Sequence, residues 1–177
     1  MTSGPSPRVE GVAGRGVRDS GPGPQASTGY WLRNAALAWQ RELGRRLRPL
    51  NLTPTQFMVL SSAGWLTVTS GPPTQQAVAD LARTDRMMTS KVAATLEKLG
   101  LLERFGDAHH GKLRRLRQTA RGRELTLAAL GHLRDIEEKF FSDLDTVALR
   151  RQLAALSDRI PLGLRGDHPG DNFNDSP

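Results

Sequence analysis

The stretch from Thr74 to Gly100, TQQAVADLARTDRMMTSKVAATLEKLG, reads as two short helices joined by a tight turn. Thr74 offers a capping hydroxyl to the first, whose apolar stripe is Ala77, Val78, Leu81 and Ala82. Asp85 offers a carboxylate to the second and so fixes where that helix begins. On the second helix Met88, Val92, Thr95, Leu96 and Leu99 recur at helical spacing and are expected to pack inward, leaving Arg86, Ser90 and Ala94 opposite. Helices this short are unstable alone, so the flanking segments must fold against them. The arrangement predicts a helix-turn-helix whose second helix places Arg86, Met87, Thr89 and Ser90 in its first turns, the part that enters a DNA major groove.

The next segment, LLERFGDAHHGKLRRLRQT, carries two apolar-basic runs, Leu101 to Phe105 and Leu113 to Gln118, around a turn from Gly106 to Lys112. That pattern predicts a β-hairpin wing. Its arms present Arg104, Lys112, Arg114, Arg115 and Arg117 against only Glu103 and Asp107, a balance suited to phosphates or a minor groove. Lys91 and Lys98 flank the second helix as further phosphate contacts. The whole chain of 177 residues has a formal charge of +7, which fits a polyanionic partner. A solvated basic face is the ordinary reading of such residues in an isolated sequence; the adjacent basic wing, together with the family resemblance given below, favours groove contact.

Around this centre the chain divides into a Gly-, Pro- and Arg-rich tail over 1–28, a helical domain over 29–160 and a second tail over 161–177. Leu32, Ala36, Trp39, Leu43 and Leu47 form one face of a helix from Tyr30 to Leu50, ended by Pro49. Thr53 and Pro54 start another, with Phe57, Val59, Leu60 and Ala63 on its inner side. Gly71-Pro72-Pro73 breaks the chain before the helix-turn-helix. Thr119 caps a long helix from about Ala120 to about Phe141, with Leu125, Ala129, Leu133, Ile136 and Phe140 in phase; a last helix runs from about Thr146 to about Arg159, with Leu149, Leu153, Leu156 and Ile160. The fold class is therefore mainly α with a small β-hairpin wing. The long apolar faces at both ends exceed what a small DNA-reading module needs, so something must cover them.

From about Tyr30 to about Ile160 the chain resembles the MarR (multiple antibiotic resistance regulator) family of winged helix-turn-helix transcription factors. The likeness is carried by Leu52-Thr53-x-x-Gln56-Phe57-x-Val59-Leu60, Thr74-Gln75 through Leu81-Ala82, Met87-Met88-Thr89-Ser90-Lys91-Val92, Leu96-Glu97-x-x-Gly100-Leu101-x-Glu103-Arg104 and Thr119-x-x-Gly122. At the wing tip, where family members commonly carry Asp-x-Arg, this chain aligns His110-Gly111-Lys112, and lysine lacks arginine's planar fork. The resemblance implies a homodimer built by helices 29–50 and 120–160, a DNA-binding winged helix-turn-helix over 53–119, and a cleft for a small aromatic or anionic effector. Trp39, Phe57 and Trp65 are candidates to line that cleft, although core packing is the ordinary fate of each. It also implies a ligand-responsive regulator, a repressor, on a pseudo-palindromic duplex; Thr74, Gln75 and Ala94 join the candidate DNA contacts.

Other classes are excluded by what the sequence lacks. There is no cysteine, hence no disulfide, no Cys-ligated zinc and no thiol switch. His109 and His110 beside Asp107 want a further ligand and read as turn residues, so neither a metal nor another cofactor is expected. No nucleophile elbow, phosphate loop or zincin motif supports an enzyme. Neither a secretory leader nor a membrane segment is legible, which predicts a cytoplasmic, DNA-associated protein with no membrane partner. Two alternatives stay open: a winged-helix adaptor that binds an acidic protein, and a low-specificity architectural DNA-binding protein without ligand response.

Overall fold

Capping side chains set the element boundaries. The computed structural model describes residues 23–106 and 114–159, and the chain divides into two compact units, Met1–Leu37 and Ala38–Pro177. The segments expected to be tails fall outside the described residues apart from 23–28. In the first unit a 3-10 turn, Pro24–Ala26, precedes α1 (Thr28–Leu47), and Trp31 Nε1 donates to Gln25 O at 2.8 Å.

In the second unit, α1 ends on the buried Leu43 and Leu47, and a 3-10 turn at Arg48–Leu50 follows. Helix α2 (Pro54–Ser70) opens with a capping box: Gln56 N donates to Thr53 Oγ1 at 3.2 Å and Thr53 N donates to Gln56 Oε1 at 2.9 Å. Helix α3 (Gln75–Ala82) is capped by Thr74, which accepts from Ala77 N at 3.1 Å. The turn of the helix-turn-helix is made by Arg83 in the left-handed region, φ 52°, with Thr84 N bonded to Ala79 O. Helix α4 (Arg86–Lys98) starts where Asp85 Oδ1 accepts from Met88 N at 2.7 Å. It stops at Gly100, whose φ of 70° lets Leu101 N reach back to Leu96 O.

Strands β1 (Leu102–Gly106) and β2 (Arg114–Gln118) pair antiparallel, with Leu102 opposite Gln118 and Gly106 opposite Arg114. Thr119 then caps α5 (Ala120–Phe140) by accepting from Gly122 N at 3.0 Å, and α6 (Thr146–Arg159) is the last element among the described residues. Helix α2 is the hub: it packs on α3, α4, α5 and β2. Leu60, Val78, Leu96, Leu102, Leu116 and Ile136 are buried around it in one core.

Two expected faces are displaced. The inner face of α4 is Thr89, Ala93 and Leu96, with Val92 half-buried, whereas Met88 is 46% exposed and Leu99 is exposed too. Thr89 tolerates burial because its hydroxyl donates to Asp85 O at 2.9 Å and lies 2.7 Å from Thr84 Oγ1. Counting apolar residues put the stripe one position early; the buried position is a satisfied threonine. On α3, Ala79 takes the inner place assigned to Leu81, which is exposed.

Candidate nucleic-acid interface

The outward face of α4 carries Arg86, Met87, Met88 and Lys91 exposed, with Ser90 and Ala94 half-buried between them and Lys98 exposed at the far end. Asp85, beside Arg86, has its Oδ1 occupied by Met88 N. Among the described residues no hydrogen bond or ion pair engages the Arg86 side chain. Thr89, expected on this face, points the other way, with its side chain enclosed and its hydroxyl bonded within the protein. Thr74 has its hydroxyl committed to capping α3, and Gln75 is half-buried in that helix's first turn.

The wing's cations divide by what already holds them. Arg104 Nε donates to Glu97 Oε2 at 2.7 Å, tying β1 to α4. Arg115 lies half-buried with Nη1 donating to Pro72 O at 2.6 Å, beside a bridge between Thr74 and its own backbone. Arg117 pairs with Glu103 at 2.7 Å and stacks its guanidinium 5.2 Å above the Phe105 ring. Arg114 is exposed, and no bond to its side chain is recorded among the described residues. Arg104 and Arg115, both expected at DNA, each hold an acceptor within the protein in this structure. Lys112, His109 and His110 lie outside the described residues.

The Arg104 guanidinium holds the Glu97 carboxyl below its ordinary range, through a charge-assisted hydrogen bond first and direct attraction after it. A carboxylate depressed in this way stabilises the fold above its unfolded-state pKa, and that contribution is lost as pH falls through the lowered folded value. Arg104→Ala should return Glu97 toward ordinary carboxylate titration, read as the pH dependence of its side-chain carbon shift by NMR. An unmoved titration curve in that variant would mean that the ion pair is not formed in solution.

The expected effector residues do not converge. Phe57 is buried in the core, Trp65 is 64% exposed on α2, and Trp39 lines a cavity to which neither of the other two contributes. That cavity, of about 580 Å³, is walled by Trp39, Phe141, Leu144, Leu149 and Leu153, with Glu137, Glu138 and Arg150 among its polar groups. Trp39 and Phe141 lie with ring centroids 5.4 Å apart. The sequence pattern missed this group because Phe141 and Leu144 sit in the α5–α6 connection, where helical periodicity stops. Helix α6 buries none of its residues. Among the described residues no helix is long and apolar enough to cross a membrane.

Comparison with known proteins bears on this surface. No protein-family model matches the chain. It is 35% identical over 120 residues to an uncharacterized HTH-type transcriptional regulator of Bacillus subtilis, YdcH, spanning 68% of this chain and 82% of that protein. Among solved structures it resembles BpsR of Bordetella bronchiseptica, described by the regulation of its DNA binding by 6-hydroxynicotinic acid, at TM-score 0.70 and 22% identity over 78% of this chain and 99% of that one. It also resembles a MarR-family regulator from Rhodococcus sp. RHA1, at TM-score 0.67 and 20% identity over 80% and 98% of the two chains.

Proposed function

Because the chain belongs to the MarR family of HTH-type transcriptional regulators, we propose that it binds a pseudo-palindromic operator as a homodimer, represses the adjoining gene and is released by a small aromatic effector. The observation that carries the DNA-binding mode is the outward face of α4, where Arg86 stands exposed with no side-chain partner among the described residues, next to a wing bearing the exposed Arg114. Major-groove readout by Arg86, Met87, Ser90 and Ala94 selects sequence, while Lys91, Lys98, Arg114 and Lys112 contact phosphates and add affinity to any duplex. In this reading Thr74 and Gln75, at the start of α3, meet the DNA backbone beside the groove.

The uncovered α6 supports dimerisation, since an amphipathic helix with nothing buried needs a second apolar surface. Two-fold symmetry sets the two α4 helices about 34 Å apart, one helical turn of DNA. The cavity beside Trp39 has the volume of a small-molecule site. Two carboxylates against one guanidinium in its wall favour an aromatic effector over an anionic one. Release then requires that the effector prefer a half-site spacing that DNA disfavours.

A gel shift with the sequence upstream of the protein's own gene, at two salt concentrations and against a scrambled competitor, tests this reading. A regulator forms a complex that the scrambled duplex fails to displace. Equal displacement by both duplexes would identify an architectural protein, and no complex at low salt would favour an adaptor. In the same assay Arg114→Ala should weaken binding to every duplex and flatten the salt dependence by about one unit per lost phosphate contact.

A further inference from the structure

Where the wing meets the helices, one side chain joins three elements. Gln118, the last residue of β2, gives both amide hydrogens away: Nε2 donates to Leu60 O on α2 at 2.8 Å and to Thr126 Oγ1 on α5 at 2.9 Å. Thr126 in turn donates to Gly122 O at 2.9 Å. The amide lies against Gly64 so closely that a Cβ there would sit 2.6 Å from Nε2 and Oε1. Gly64 is therefore the seat that lets this side chain reach a carbonyl in the body of α2.

We propose that Gln118 is a positioning residue for DNA binding, which locks the base of the wing to α2 and α5 and so holds Arg114 at a fixed angle to α4. The inference rests on the reading of the wing as a phosphate contact. Midway along β2, Leu116 N donates to Pro73 O at 2.9 Å and Arg115 holds Pro72 O. Those bonds fasten the middle of the strand to the segment before α3, Thr119 bonds its far end to Gly100 and Leu101, and Arg104 ties the paired strand to α4. Gln118 adds the tie from the strand's end to the bodies of α2 and α5. Arg114 stands four residues away, about 13 Å along an extended chain. A tilt of about 10° at the base carries the other end roughly 2 Å, enough to break a hydrogen bond to a phosphate.

Loss of this tie leaves no orphan. Thr126 keeps its bond to Gly122 O, and Leu60 O stays inside a regular helix. In Gly64→Ala the three atoms nearest the new methyl all belong to the end of the flexible Gln118 side chain, so the variant is expected to expel the amide and leave α2 in place. Gly64→Ala and Gln118→Ala should therefore behave alike by different routes.

The test uses the full chain and a labelled mixed-sequence DNA duplex, with affinity measured by anisotropy across a series of salt concentrations. Thermal midpoint and sedimentation are followed in parallel. Gly64→Ala and Gln118→Ala are each expected to flatten the plot of log K against log salt by about one unit per wing contact, as Arg114→Ala does, while the fold and assembly persist. Adding Arg114→Ala to either should flatten it no further, because the contact is already gone. If Arg114→Ala flattens the slope and the other two leave it at the wild-type value, or if the effects add in the doubles, Gln118 does not position the wing. A slope unmoved by Arg114→Ala itself would remove the wing reading, and this inference with it. Should Gln118→Ala fail to fold, Gly64→Ala decides alone.

Discussion

Gly122→Ala should lower the thermal midpoint by roughly 5–10 °C, the largest loss expected from a Gly→Ala change among the described residues. Gly122 is buried in the first turn of α5. A Cβ there would overlap the Leu101 carbonyl oxygen outright and lie 3.0 Å from its carbon. Both are backbone atoms, so no side chain can swing away. Relief requires α5 to move off the start of β1, and the bonds that join them resist: Thr119 N donates to Leu101 O at 3.1 Å and Thr119 Oγ1 donates to Gly100 O at 2.7 Å. Overpacking of this kind costs about 1–3 kcal/mol, occasionally more, and a disturbed cap adds about 1. Alanine's better helix propensity offsets about 1 kcal/mol of that. A net loss of about 1–3 kcal/mol is a large fraction of an ordinary domain's stability. Calorimetry on both proteins decides it: a variant that melts at or above the wild type would mean that α5 is not anchored to Leu101 as described.

How far the sequence anticipates such contacts depends on their range. Local chemistry was legible: Thr53, Thr74, Asp85 and Thr119 each cap the helix they were expected to cap, because a capping bond spans three residues. The hairpin was legible for a similar reason, since its register follows from one turn. The tie from Gln118 to Leu60 was not; 58 residues separate them, and no periodicity marks a glutamine as an inward residue. Nor was the pairing of Arg104 with Glu97, which joins β1 to α4 across seven residues. The shifted face of α4 has a different cause: hydropathy ranks Met88 above Thr89, but local hydrogen bonds make the threonine the cheaper residue to bury. On α4 the helix and its cap stand where the sequence places them, while Thr89, expected outward, is buried.

Arg86→Ala should separate folding from recognition. An arginine as the first residue of a helix faces the positive end of the helix dipole, an arrangement that costs about 0.3–1 kcal/mol at an exposed site. No acidic residue in the first turn of α4 offsets it. Asp85 precedes it but is occupied as the cap, and the Arg86 side chain makes no recorded bond among the described residues. Its removal should therefore leave the thermal midpoint unchanged or slightly raised. Binding should respond oppositely: a bidentate arginine–guanine contact discriminates by about 1–3 kcal/mol, and a homodimer loses it at both half-sites. The measurement is the ratio of affinities for operator and scrambled duplex at one salt concentration, taken beside Arg114→Ala as a charge-matched control. Arg86→Ala should collapse that ratio, whereas Arg114→Ala should lower both affinities and leave it standing. If the two variants change the ratio equally, Arg86 is only another phosphate contact, and readout passes to Met87, Ser90 and Ala94 on the same face.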